Sequence, residues 1–162
     1  MRLTAHGLEQ RINRLRARLQ MFGDMPDSTE MKTLDLRFFS LKQRLPGFGL
    51  QPEVGQVRVA EQWRRSGGAW HLVEYVYEYQ RDESNPAGAG RLGYHCHALS
   101  EVDPSGRPVP HATVEDGGRN DRHHRYGVVD VDVAIDAFFA LDASGRPISS
   151  VGLVPMFPGR RR

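Results

Sequence analysis

Disulfide bonds and membrane spans are missing from this sequence. The chain has one cysteine, Cys96, which cannot form an internal disulfide and fits a reducing cytoplasm. It contains no run of about 18 apolar residues, so no membrane span is expected. The opening residues, MRLTAHGLEQ, lack the apolar segment of a signal peptide, so export is not indicated. We therefore expect a cytoplasmic protein without membrane contact.

Lysine is scarce as well. Only Lys32 and Lys42 are lysines, and every other basic side chain, histidine aside, is arginine. Arginine contacts phosphate through a planar, bidentate guanidinium, so this bias is compatible with nucleic-acid binding. A GC-rich genome produces the same bias. Because the formal net charge is only +2, far from the balance of a typical nucleic-acid binder, the composition favours the genomic explanation.

Two apolar stripes predict helices at the start of the chain. The first follows Thr4, the predicted N-cap, with spacings of four, three and four residues; its members are Leu8, Ile12, Leu15 and Leu19. The second follows Asp27 and Glu30, which have capping-box spacing; its members are Met31, Leu34, Phe38, Leu41 and Leu45. Pro46 ends the second stripe. A short turn between the two predicts an antiparallel helical hairpin over residues 1–47.

Beyond residue 50 the hydrophobic pattern changes to a period of two, which predicts β-strands. Residues 56–64 and 69–80 alternate on either side of the turn signal RSGG, as in an antiparallel hairpin. Residues 91–101 predict a third strand. The tetrapeptide SGRP occurs within residues 103–109 and again within 142–148, where we expect turns that enter strands.

The last third of the chain has two interpretations. Residues 115–125 are polar and predict an exposed loop. The odd positions from Val129 to Leu141 are all apolar, as in a strand, whereas Asp132 has the position of a cap for a helix that runs to Gly145. We favour a short strand that leads into this helix, followed by a disordered basic tail at residues 157–162.

These elements together predict an α+β fold. At 162 residues, with 39% hydrophobic and 26% charged residues, the chain is long enough to bury one core, so we expect a single domain over residues 1–162. The sheet-containing core would cover residues 55–156. We expect an antiparallel sheet of four to six strands, with the N-terminal hairpin and a C-terminal helix packed on it.

Histidines concentrate in the stretch YHCHALSEVDPSGRPVPH at residues 94–111. On a strand, side chains two residues apart share a face, so His95 and His97 point the same way and Cys96 points the other way. This separation argues against a cysteine–histidine catalytic pair. Cys96 is better explained as a small buried side chain than as a nucleophile.

The shared face of His95 and His97 predicts a metal site as one alternative. Two imidazoles on one strand face are a common way to present ligands to a divalent cation. Glu101 follows His97 at the spacing of the first cupin motif, although the glycines and the second histidine motif of cupins are missing. His111 supplies a third ligand if the strands pair suitably. The competing interpretation is a polar strand face with solvated histidines.

Acid–base chemistry without a metal or other cofactor is the other catalytic alternative. One histidine would activate the 2′-hydroxyl of RNA, while another protonates the leaving oxygen. The candidate catalytic residues are His95, His97, His111 and Tyr94. Arginines, two of them near these residues in the sequence and two beside His123 and His124, would hold the phosphodiester and stabilise its transition state. These candidate substrate-binding residues are Arg91, Arg107, Arg122 and Arg125.

A family resemblance covers about residues 69–141. The segments WHLVEYVYEYQ, GRLGYHCH and PHATVE are similar to those of TumE-type toxins of bacterial toxin–antitoxin systems. The shared features are an aromatic strand, a following strand and a histidine-rich segment before a terminal helix. The sequence departs from the family by having Arg91 and Tyr94 without the expected aspartate, and by a longer insertion after His111. The resemblance implies a bacterial toxin that acts on RNA and binds a cognate protein partner.

Three functions therefore remain open from the sequence. The leading hypothesis is a toxin–antitoxin-type ribonuclease that depends on histidines. The second is a non-enzymatic interaction module, such as an antitoxin, immunity or regulatory protein. The third is a cupin-like domain that binds one divalent metal through His95, His97 and Glu101.

Overall fold

The computed structural model describes residues 1–45, 55–85, 88–97, 103, 108–116, 119–125 and 129–148, with the backbone alone described at 116 and 119–125. The elements of this part are β1 (Arg2–Leu3), α1 (Ala5–Gln20), β2 (Asp27–Lys32), β3 (Leu36–Leu45), β4 (Gly55–Ser66), β5 (Ala69–Arg81), β6 (Gly90–Cys96), β7 (His111–Asp116), β8 (Arg119–Arg125) and α2 (Val131–Ser144). All pairings between these strands are antiparallel. The predicted α+β class is confirmed.

The sheet is an open meander. Seven strands, β2 to β8, lie side by side in chain order, and the short β1 pairs separately with the start of β5. The predicted count of four to six strands is too low, because residues 27–45 and 119–125, predicted as helix and loop, form β2, β3 and β8. Gly67 and Gly68, with φ of 57° and 75°, make the tight turn between β4 and β5.

Helix α1 forms where the first apolar stripe predicts it. Thr4 caps it by accepting a hydrogen bond from the Gly7 amide at 3.0 Å, which satisfies one of the unpaired amides of the first turn. All four apolar residues of the stripe are buried. No helix in the described residues is long and apolar enough to span a membrane.

The prediction of a second helix in an N-terminal hairpin is wrong. Strand β3 pairs with β4 along its whole length, and alternate residues such as Phe39, Leu41 and Leu45 are buried. Met31 and Leu34, which the helical stripe would bury, are 50% and 85% exposed. This segment forms a ten-residue ladder with β4, so tertiary pairing within the sheet overrides the helical spacing of its apolar residues.

Both helices pack on one face of the sheet and share one hydrophobic core. Phe138 of α2 stacks against the rings of Tyr79 and Tyr94, with centroid separations of 6.2 and 6.0 Å. Residues that alternate with these tyrosines along β5 and β6 point to the opposite face, which we call the outer face. The outer face carries Glu78 and His95.

A buried ion pair joins α1 to the sheet within this core. Arg11 donates to both carboxylate oxygens of Glu61, at 2.6 and 2.9 Å. Glu61 also accepts hydrogen bonds from the Trp63 indole at 3.0 Å and the Tyr77 hydroxyl at 2.7 Å. Burial alone would lower the pKa of Arg11, but the Glu61 carboxylate raises it above its usual value. Burial, and then the same carboxylate, raise the pKa of Tyr77.

The last described helix differs in detail from its prediction. Helix α2 begins at Val131 and is capped by Asp130, whose carboxylate accepts from the Asp132 amide at 2.8 Å. Residues 129 and 130 are not in a strand, and residues 126–128 lie outside the described part. Gly145 ends the helix at φ 59°, so the second SGRP segment terminates a helix. The predicted strand after it lies beyond residue 148, outside the described part. The predicted basic tail, residues 157–162, also lies outside the described residues.

Replacing Asp130 by alanine tests this cap. We expect the free energy of unfolding to fall by about 1 kcal/mol, because the first-turn amides lose their acceptor. Urea denaturation followed by circular dichroism measures the change. The control is Asp130→Asn, which keeps an accepting oxygen and should stay close to wild type; an equal loss in both variants would contradict the capping role.

Candidate metal centre

Three histidines converge on the outer face of the sheet. His95 on β6 lies directly opposite His111 on β7, and His97 follows two residues after His95. The ring centroids are 5.3 Å apart for His95 and His111, 5.5 Å for His95 and His97, and 5.8 Å for His97 and His111. One nitrogen of each ring lies within 4.8 Å of the others. Two paired strands and the residue just after β6 therefore bring three imidazoles together.

The register of β6 and β7 produces this arrangement. Directly opposite residues of an antiparallel pair project to the same face, and so do residues two apart along one strand. His111 lies directly opposite His95 and therefore shares its face. His97 follows His95 by two residues, so the same alternation places it on that face. His95 and His111 are buried, whereas His97 is half-buried and lies just past the end of β6.

Gly93 gives the His95 ring its position. A Cβ atom at residue 93 would lie 3.0 Å from Cε1 of His95 and closer still to its Nε2. The imidazole therefore folds back along β6 and occupies the space above the glycine. A side chain at this position would force the ring away, so the glycine is required by close approach and not by its backbone angles.

Glu78 is the acidic neighbour of this ring. It lies opposite Gly93 in the β5–β6 register, and its Oε2 is 3.4 Å from Nε2 of His95. Burial alone would raise the pKa of Glu78, but the contact with His95 and the positive charges of Arg91 and Arg58 outweigh it. The pKa of Glu78 therefore lies below its usual value.

Sequence reasoning did not find Glu78. It lies 17 residues before His95, and only the pairing of β5 with β6 brings the two together. Its one signal in the sequence is parity within β5, because Glu78 alternates with the buried residues Tyr77 and Tyr79.

The other predicted site residues have different placements. Tyr94 is buried in the core on the helix side, so it does not join the three histidines. Arg91 has the outer-face parity and pairs with Glu115 at 3.4 Å. On β8, Arg125 is opposite His111 and Arg122 is opposite Val114 in the backbone register. Glu101 and Arg107 lie outside the described residues.

Cys96 is separate from the histidine group, as strand parity predicts. It packs against the core, and burial, followed by the negative charge of Glu74, raises the pKa of its thiol. A raised thiol pKa disfavours the thiolate needed for nucleophilic attack or metal binding at neutral pH.

Comparisons with models of protein families, with curated proteins and with solved structures gave no match. The resemblance to TumE-type toxins therefore stays a prediction. The described residues form an antiparallel meander with two helices on one face and a three-histidine cluster on the other.

Proposed function

We propose that this protein binds one divalent transition-metal cation, with Zn²⁺ the preferred ion, through His95, His97 and His111. The observation that carries the proposal is the convergence of one nitrogen from each ring within 4.8 Å. Imidazole nitrogen is a favoured ligand of zinc and of neighbouring transition metals. The cluster also combines two strands in fixed register, which limits how far two of the ligands can separate.

Small side-chain movements are enough to close this site. Zinc–nitrogen distances of about 2.0–2.1 Å place two ligands of a tetrahedral ion about 3.4 Å apart. The observed limit of 4.8 Å exceeds this by an amount that rotation of the rings can remove. His97 is the ring best able to move, because it is the least buried and lies past the last paired residue of β6.

The three histidines of the cluster match the ligand set of a reactive zinc centre. Zinc sites with three protein ligands keep a position for water, whose pKa the ion lowers to about 7, and thus supply a nucleophile for hydrolysis. In this proposal His111 takes the third place that the sequence assigned to Glu101.

Zinc titration tests the proposal. Isothermal titration of the metal-free protein is expected to show one Zn²⁺ site per chain. The matched control is His6→Ala, which removes an exposed histidine of α1 and should leave binding unchanged. Absence of saturable binding by the wild-type protein, with its fold confirmed by circular dichroism, would contradict the proposal.

Metal-free cleavage of RNA is the second candidate function. It is supported by the same three histidines and by Arg91, a basic side chain of outer-face parity on the strand that carries His95. Histidine can act as both the general base and the general acid in such a reaction. Its substrate, like the toxin–antitoxin association and the cognate partner, comes from the resemblance and stays a prediction.

One cleavage assay separates the two candidates. Metal-free protein and zinc-loaded protein are incubated with total RNA in parallel, with His97→Ala as the inactive control. Cleavage only by the loaded protein supports a metal-dependent hydrolase. Equal cleavage by both supports the metal-free alternative, and intact RNA in both removes RNA as the substrate. Recovery of a stable partner from cells, unaffected by His97→Ala, would favour the interaction module.

A further inference from the structure

The Glu78 carboxylate and the space left by the missing side chain of Gly93 both lie next to one atom of His95, its Nε2. A Cβ at residue 93 would clash with Nε2 of His95, and that nitrogen is also 3.4 Å from Oε2 of Glu78. Nε2 is therefore the ring nitrogen next to Glu78. The contact has the distance of an ion pair and not the geometry of a hydrogen bond, and Nε2 has no other hydrogen-bond partner in the described residues. Both neighbours lie on adjacent strands in direct register, so neither depends on a loop for its position.

An imidazole that faces a carboxylate through one nitrogen has only the other nitrogen for a cation. The carboxylate can only accept, so the ring nitrogen facing it carries the proton and the opposite nitrogen carries the lone pair. In His95 that opposite nitrogen is Nδ1. Outer carboxylates that hold a ligating histidine in this way fix its tautomer and increase its strength as a ligand.

We infer that Glu78 is a positioning residue of the metal centre, which holds His95 with Nε2 protonated and Nδ1 directed at the cation. This inference rests on the proposed metal function. Glu78 does not touch the cation itself; it acts through His95, and Gly93 provides the space that lets the ring reach it. The side chain of Glu78 is only 14% exposed, so water competes weakly for this contact.

The variant Glu78→Gln tests the inference. Zinc affinity should fall by about 10–100-fold, the usual effect of losing an outer carboxylate partner. Glu78→Asp should recover part of the affinity because it keeps the carboxylate, whereas Gly93→Ala should lower affinity by displacing the ring. The matched control is Glu115→Gln, which removes a negative charge that pairs with Arg91 and, among the described side chains, with no histidine. It should bind zinc as wild type does.

A second readout does not require metal. Nitrogen-15 NMR of the metal-free protein reports which ring nitrogen of His95 carries the proton. The wild-type protein is expected to show the Nε2-protonated form, and Glu78→Gln a mixture of both tautomers.

The outcomes distinguish the inference from the function it rests on. Zinc binding that is lost in His95→Ala but unchanged in a folded Glu78→Gln, with the same His95 tautomer, overturns the inference alone. If wild-type protein binds no zinc, the proposed function and the inference both fall. Reduced zinc affinity together with an altered tautomer supports the inference, since general loss of stability would not change the protonation site of one ring.

Discussion

Replacement of Glu61 by alanine is expected to lower the free energy of unfolding by about 3–5 kcal/mol, the cost of breaking a buried ion pair on one side. The variant leaves the Arg11 guanidinium in the core without its carboxylate, and it removes the acceptor of Trp63 and Tyr77. Glu61 is 1% exposed and Arg11 8%, so water cannot replace the lost contacts without opening the core. Urea denaturation with tryptophan fluorescence and circular dichroism measures the loss.

Two control variants make this prediction specific. Arg14→Ala removes an ion pair with Asp132 whose arginine side chain is 58% exposed, and it should cost less than about 1 kcal/mol. The double variant Arg11→Met with Glu61→Leu removes both charges and should be more stable than Glu61→Ala, since no buried charge is left alone. A loss below about 1 kcal/mol for Glu61→Ala would contradict the role of the ion pair.

Replacement of His97 by alanine is expected to have the largest effect on zinc binding with little effect on stability. It removes one of the three proposed ligands, so zinc affinity should fall further than the roughly 10–100-fold loss expected for Glu78→Gln. His97 is only half-buried and makes no ladder pair, so the sheet should keep its register. Titration calorimetry measures affinity, and thermal unfolding measures stability.

The exposed histidine of α1 provides the comparison for this variant. His6→Ala changes the histidine content by the same amount, and its ring lies outside the cluster. Wild-type affinity in His6→Ala and strongly reduced affinity in His97→Ala is the expected pair of results. Equal affinity in both variants would show that His97 is not a ligand.

The sequence predicted α1 and the strands near residues 56–64, 69–80 and 91–101 because their apolar spacings have one interpretation. Residues 36–45 have two. Phe38 and Phe39 are adjacent, so the segment fits a helical stripe and a strand face equally well. Gln43 and Arg37 are polar residues on the buried face and break the alternation. Arg37 is paired with Glu9 of α1, a partner that local sequence does not reveal.

The candidate site, like the fold, could be predicted only in part from local sequence patterns. Strand parity alone places His95 and His97 on one face and Cys96 on the other. The position of His111 opposite His95 depends on the register of β7 against β6. Neither the length nor the composition of the segment between the two strands determines that register. Glu78 depends on the register of a third strand. Local patterns therefore identify His95 and His97 as candidate ligands, and sheet pairing adds His111 and the neighbouring Glu78.

X-ray absorption at the zinc edge of the reconstituted, desalted wild-type protein tests the central claim most directly. The proposal predicts retained zinc with three imidazole nitrogens in its first shell, at about 2.0–2.1 Å. Loss of the zinc on desalting, or a first shell made of solvent oxygens without imidazole scattering, would contradict it.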